Sequence, residues 1–274
     1  MGKKLRFILW LIIVIAIVLL IGTSIYNIVM AKTEKVSHPE VTFELENYGN
    51  IKMELYPEYA PNTVANFIKL VEKGYYNDKV IYGKDEVCLY VGRNQDGEAV
   101  NPKISLISDN IEADSEDDYE YTIPGEFVAN DFKQNTLIHE KGVVSLIRND
   151  YTQYVPTLTE ESYNSGNAQI GIMMGDGASN LNGVYAAFGR ITEGLDILEK
   201  IYNETEIAPK ENTEEGVDTT ESAIDRFNTY PKIKSATVDT HGIDYGNPVT
   251  EKAFDYSAYM YDLMSSYYNT NAEQ

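Results

Sequence analysis

The sequence predicts a mainly β domain built as an antiparallel barrel, and two observations predict it. Short stretches alternate apolar and polar residues with period two and are separated by turn residues. Only two stretches ahead of the C-terminal tail carry the spacing of a good amphipathic helix. Many antiparallel strands with few helices to cover them close most simply on themselves, which removes unpaired edges.

At the N-terminus Lys3, Lys4 and Arg6 precede a charge-free stretch from Phe7 to Ala31. At ~1.5 Å per residue it is long enough for a ~30 Å hydrocarbon core. The basic residues ahead of it predict a cytoplasmic N-terminus and an extracytoplasmic domain, with lipid as a partner through residues 7–31. A cleaved signal peptide is the competing reading, and the length of the apolar stretch favours the anchor. The expected organisation is a basic stub at 1–6, an anchor at 7–31, a tether at 32–40, a domain at 41–248 and a tail at 249–274.

The domain opens on a hairpin. Val41, Phe43 and Leu45 alternate with polar residues, Asn47-Tyr48-Gly49-Asn50 turns the chain, and Ile51, Met53 and Leu55 alternate again. Pro61 suits a first helical position, Val64, Phe67, Ile68 and Val71 form one apolar stripe, and Gly74 stops the helix. Strands are then expected within 79–92, 119–123, 142–147, 168–174, 184–188 and 233–240. Leu195, Leu198 and Ile201 give the second helix. Acidic or polar insertions are expected near 94–120, 150–166 and 203–231; the run Glu112 to Asp118 lacks the turn glycine and spacing of a calcium loop and reads as solvated. The tail, with Phe254, Tyr256, Tyr259, Met260, Tyr261, Leu263 and Met264, is apolar enough to form a helix docked on the domain.

Composition narrows the function classes. With 274 residues the chain has room for an anchor and one domain of about 200 residues. A net charge of −21 disfavours nucleic acid, whose phosphates need clustered Lys and Arg. Cys88 is the only cysteine, so no intramolecular disulfide and no multi-cysteine metal site is available, and no cofactor motif is present. His38, His139 and His241 are far apart in sequence and read as ordinary loop histidines; Ser145 is a nucleophile only if a histidine is brought into reach.

Several motifs carry a family resemblance. Gly49-Asn50-Ile51-Lys52-Met53-Glu54-Leu55-Tyr56-Pro57, Ala60-Pro61-Asn62-Thr63-Val64-Ala65-Asn66-Phe67, Gly125-Glu126-Phe127, Gly142-Val143-Val144-Ser145-Leu146 and the run from Gly183 to Asp196 follow in order. Together they resemble the cyclophilin-type peptidyl-prolyl cis-trans isomerases. The resemblance implies a closed eight-stranded antiparallel barrel capped by two helices. It also implies binding of proline-containing segments, here of exported proteins.

A prolyl isomerase lowers a rotation barrier of ~18–20 kcal/mol. It does so with an apolar pocket for the proline ring and a fixed donor that meets the prolyl nitrogen as amide resonance is lost. In the family that donor is an arginine in a Phe-His-Arg run, followed by a pocket phenylalanine, a methionine and a glutamine. Laid on this pattern without gaps from Tyr76, the run falls on Ile81-Tyr82-Gly83, so Gly83 holds the arginine position. The phenylalanine, methionine and glutamine fall on Cys88, Leu89 and Val91. Lys84 and Arg148 are the candidate substitutes for the missing donor; Arg93 lies farther along than a register error reaches. Leu89, Ile147, Arg148, Gln169, Leu181 and Tyr185 are the expected peptide-binding residues, with Gly171 where the family has a pocket phenylalanine. Weak or altered isomerase activity is the expectation. The alternative is a non-catalytic peptide-binding module whose groove is refashioned by Tyr82, Cys88, Arg148, Gln169 and Tyr185.

Overall fold

The computed structural model divides the chain into two compact units, Met1–Ser37 and His38–Gln274. It describes Gly2 and residues 38–175, 178–209 and 224–272. The expected anchor at 7–31 and its basic stub lie outside the described residues. Among the described residues no helix is long and apolar enough to cross a membrane. The expected single-pass placement with an extracytoplasmic domain therefore has no spanning helix among the described residues to support it.

Strands β1 (Glu40–Leu45) and β2 (Gly49–Leu55) form the expected hairpin, in register from Glu40↔Glu54 to Leu45↔Gly49. Asn47 at φ 66° and Gly49 at φ 114° take the left-handed backbone that closes so short a turn. Val41, Phe43, Leu45, Ile51, Met53 and Leu55 are all buried, so both strands send one face to the core. Helix α1 (Pro61–Glu72) follows and lays Val64, Phe67, Ile68 and Val71 on that face. Phe67 packs against Phe43, Tyr76 and Phe188 with ring centroids 6.2, 5.1 and 5.1 Å apart. No residue of α1 caps its start; the Glu126 carboxylate does so from a distant loop, accepting from Asn62 N at 2.9 Å and from Thr63 N and Oγ1 at 2.7 Å.

The remaining elements are β3 (Val80–Lys84), β4 (Cys88–Arg93), α2 (Ile104–Ile107), β5 (Tyr121–Thr122), β6 (Val143–Leu146), α3 (Thr159–Tyr163), β7 (Ile170–Met173), β8 (Ala187–Glu193), α4 (Leu195–Glu204), β9 (Asp225–Arg226), β10 (Ile233–Asp239), β11 (Glu251–Lys252) and α5 (Tyr256–Ala272). One antiparallel sheet runs β10-β1-β2-β8-β6-β7-β4-β3-β9, and β5 pairs separately with β11. The large sheet curls on itself. The start of β3 returns to the start of β10 through the bridge Val80↔Lys232, with Ile81 N donating to Pro231 O at 2.9 Å and Ile233 N to Lys79 O at 2.8 Å.

Among the described residues the large sheet has nine strands where eight were expected, because the 203–231 insertion supplies one. Its β9 pairs Arg226 with Gly83 and Asp225 with Lys84, and Phe227 is buried beneath. Residues 210–223 of that insertion lie outside the described residues. The strand expected at 184–188 begins only at Ala187, since Gly183 at φ 73° and the bond Val184 N to Leu181 O hold the chain in a turn until then. The acidic stretch ending at Asp118 is not wholly solvated. The Asp118 carboxylate is nearly buried and accepts from Ser105 N at 3.0 Å and Asp114 N at 2.7 Å, which holds the start of α2. In the tail, Tyr256 stacks on Tyr151 at 5.0 Å, Phe254 meets the same ring at 5.5 Å, and Val249 exchanges two hydrogen bonds with the Asn62 side chain.

Candidate functional site

The sheet has an inner face, which is the core, and an outer face, and the strand registers decide which residues reach each. Tyr90 pairs with Gly171 and Cys88 with Met173 across β4 and β7, while Ser145 pairs with Gly171 across β6 and β7. Cys88, Val143, Met173, Ala178 and Ala187 form a small second cluster with Tyr90, Leu137 and Leu181 on the outer side. Leu89 and Val91 belong to the main core instead. Leu89 is fully buried there and does not line the groove expected of it.

Leu89 pairs with Ile172 of β7, which lies in the same core; the β3–β4 ladder, by contrast, is irregular. Val80 pairs with Arg93, Ile81 with Val91, and Gly83 with Tyr90, so Gly92 is an extra residue on β4 and Tyr82 an extra residue on β3. A bulge shifts the faces that simple counting assigns. Tyr82 therefore reaches the outer side, where its hydroxyl donates to Gln169 Oε1 at 2.9 Å and its ring lies 5.9 Å from that of Tyr90. The same bulges bring Arg93 into the site from which counting excludes it. Its guanidinium stacks 4.4 Å over the Tyr82 ring, its Nε lies 3.5 Å from Gln169 Oε1, and its Nη1 donates to Gly97 O at 3.1 Å.

Gly83 is sealed. A Cβ there would meet Asp225 O at 2.7 Å and Ile224 Cγ2 at 2.8 Å. Lys84, the nearest substitute, points to the end of α4, where its ammonium donates to Tyr202 O and sits 4.6 Å over the Tyr202 ring. Gly171 is likewise filled by its neighbours, with Cys88 Sγ 2.7 Å and Ile147 Cδ1 2.9 Å from where a Cβ would be. Burial pushes the Cys88 thiol well above its usual range, and the nearby Asp85 adds to that, so it is a packing group rather than a nucleophile.

Arg148 is half-buried at the other end of the row. Its Nε donates to Val184 O at 3.1 Å and its Nη1 to Asn149 O at 3.2 Å, and the guanidinium lies among the rings of Tyr185, Tyr163 and Phe127 at 4.6, 5.1 and 5.6 Å. Desolvation raises the Tyr185 hydroxyl pKa, opposed by the Arg148 charge. Ile147, Gln169, Leu181 and Tyr185 are each half-exposed. Two surface cavities of about 410 and 300 Å³ open elsewhere, around Tyr48 and Lys200 and around Asn130 and Phe132, and include none of these residues.

A Ser-His-Asn relay, which separation in sequence conceals, lies beneath the groove. His139 Nδ1 and His139 N both reach Asn182 Oδ1, at 3.0 and 2.8 Å, so Nδ1 carries the proton and Nε2 accepts from Ser145 Oγ at 3.0 Å. Ser145 is 1% and His139 2% exposed, so the relay ties β6 to the 178–182 turn and meets no substrate. Burial lowers the His139 pKa, with the Asn182 bond opposing. Among the described residues no cluster of His, Cys, Asp or Glu is able to hold a metal ion.

A family profile described as cyclophilin type peptidyl-prolyl cis-trans isomerase/CLD matches residues 40–223. The chain belongs to this family. It is 31% identical over 158 residues to a peptidyl-prolyl cis-trans isomerase-like 4 of Neurospora crassa, covering 56% of this chain and 28% of that protein. It is 26% identical over 161 residues to peptidyl-prolyl cis-trans isomerase B of Bacillus subtilis, covering 59% of this chain and 89% of that one. The match to a Rhizopus delemar isomerase-like 2 spans 26% of that protein, so the chain corresponds to about a quarter of the length of some relatives. In fold it resembles a Cryptosporidium parvum cyclophilin type isomerase crystallised in the presence of the dipeptide Ala-Pro, with a TM-score of 0.50 and 18% identity over 73% of this chain and 98% of that one. The cyclophilin scaffold is thus present. What the cyclophilin pattern did not reveal is the Tyr82–Gln169–Arg93 cluster, assembled by two bulges that leave no mark in hydrophobic periodicity.

Proposed function

We propose that this domain binds proline-containing peptide segments along the row Ile147, Gln169, Leu181 and Tyr185 and accelerates X-Pro isomerisation weakly. Membership of the family supports the substrate class. The weakness rests on one observation: neither Gly83 nor Lys84 is able to present a cation to the groove, one because β9 covers it and the other because Tyr202 holds it. A lost charge-assisted donor removes a few kcal/mol of transition-state stabilisation, on the order of 100-fold in rate. Arg148 is a peptide contact in this reading, with its stack on Tyr185 forming one wall.

Exchange NMR of cis and trans Ala-Pro peptides with the full chain tests it. Line broadening from accelerated exchange, together with peptide shifts on binding, supports the reading. Binding without exchange supports the second reading, a recognition module, which Gly171 favours because the wall for a proline ring is absent there. Neither binding nor exchange, with peptides of varied residue before proline, sinks both.

A further inference from the structure

The geometry points to Gln169 as the donor to the prolyl nitrogen, its carboxamide held in the productive orientation by Tyr82 and Arg93; this rests on the proposed isomerase reading and names the chemistry at its centre. Arg93 Nε is only a donor, so the Gln169 atom it approaches at 3.5 Å is the carbonyl oxygen. The Tyr82 hydroxyl donates to that oxygen at 2.9 Å. With Oε1 fixed on the Tyr82–Arg93 side, the NH₂ group is turned away from both, and among the described residues nothing accepts from it.

Position supports the assignment. Gln169 directly precedes β7 and lies across from Ile147, whose N–H donates to Gln169 O at 2.9 Å. It therefore projects on the same outer face as Gly171 and Ile147 and is half-exposed there. Its stem rests on Gly92, where a Cβ would stand 3.2 Å from Gln169 Cα and 3.6 Å from its Cγ. Tyr82 and Arg93 are buried, so the two groups that orient the amide are fixed by packing rather than by solvent.

The chemistry follows from amide resonance. In the planar ground state the prolyl nitrogen lone pair is delocalised and accepts poorly; at the twisted transition state it is localised and accepts well. A preorganised N–H beside the proline ring is bonded only in the second state. No bond forms or breaks in the protein, and Arg93 acts at one remove by drawing electron density toward Oε1 and sharpening the N–H donor. A neutral amide is a weaker donor than a guanidinium, in keeping with slow catalysis.

The test compares the full chain with Gln169→Glu, Gln169→Leu and Tyr82→Phe by exchange NMR on an Ala-Pro peptide, with peptide Kd from the same titration. Gln169→Glu keeps the size and the acceptor for Tyr82 and Arg93 and removes the N–H, so it stays folded and isolates the donor. The expected result is a loss of about 100-fold in exchange rate with Kd within about threefold, and a similar loss in Gln169→Leu. Tyr82→Phe should lower kcat about tenfold and leave KM unchanged, a split that a purely structural role would not give. Wild-type exchange that survives in Gln169→Glu overturns the assignment while leaving the isomerase reading standing. Wild-type binding without exchange overturns the assignment in favour of the recognition module, and absence of both binding and exchange overturns the isomerase reading itself.

Discussion

Restoring an arginine at position 83 is the substitution that the family pattern invites, and the structure predicts that it fails twice. A Cβ at Gly83 would stand 2.7 Å from Asp225 O, 2.8 Å from Ile224 Cγ2 and 3.3 Å from Arg226 Cα, where comfortable separations are ~3.5–4.0 Å. Two of those three neighbours are backbone atoms of β9, so the clash is relieved only by moving the strand. Moving it breaks the Gly83↔Arg226 and Lys84↔Asp225 pairs and the bond Phe227 N to Tyr82 O at 3.0 Å. Overpacking of this kind costs about 1–3 kcal/mol, and partial exposure of the buried Phe227 adds up to about 1.5–3 kcal/mol. Gly83→Arg should therefore lose about 3–6 kcal/mol in urea denaturation followed by circular dichroism, and Gly83→Ala about 1–3 kcal/mol. The new guanidinium would also be directed at β9, while the outer residue of β3 beside Gln169 is Tyr82. Exchange on an Ala-Pro peptide should not rise. A Gly83→Arg protein as stable as wild type and faster in exchange would refute the bulged register on which this reasoning depends.

Other outcomes follow from particular contacts. Glu126→Ala should destabilise the domain by about 1–3 kcal/mol, because Asn62 N, Thr63 N and Thr63 Oγ1 lose their shared acceptor at the start of α1; urea denaturation measures it. Lys84→Ala should leave peptide exchange unchanged and cost about 1 kcal/mol, since its ammonium serves Tyr202 O rather than the groove. His139 has a folded pKa below its unfolded value of about 6.5, so the unfolded chain takes up the proton first and the stability it contributes is complete above that pH and is lost as pH falls from there toward the folded pKa. The stability gap between wild type and His139→Gln, from denaturation at a series of pH values, should narrow below about pH 6.5 by up to about 1.4 kcal/mol per unit. Tyr151→Ala removes the ring on which Tyr256 and Phe254 rest and should raise amide exchange in α5 without altering peptide exchange.

What could be read in the sequence was whatever period and punctuation encode. The β1–β2 hairpin alternates without a break from Val41 to Leu55, and α1 carries Pro61 at one end and Gly74 at the other, so their buried faces follow by counting. Counting fails from Val80 to Arg93 because a bulge costs one residue of phase and nothing in composition announces it: Gly92, at φ 119°, looks like any other strand glycine. The error then propagates with a fixed sign. One extra residue on β3 sets Tyr82 against Gln169 and one on β4 carries Arg93 back to it, whereas Leu89 and Val91 point inward as alternation places them and only the family pattern put Leu89 in the groove. The sealing of Gly83 was equally hidden, since β9 is two residues long and lies in an acidic insertion with no periodicity of its own. These misses have one cause. The scaffold is specified by repeated local signals that survive divergence, whereas the site is specified by where two strands slip and by what a distant segment lays on top of them. Such a slip rebuilds an outer surface without changing the fold, because shifting phase by one residue replaces every outward side chain on the strand at once.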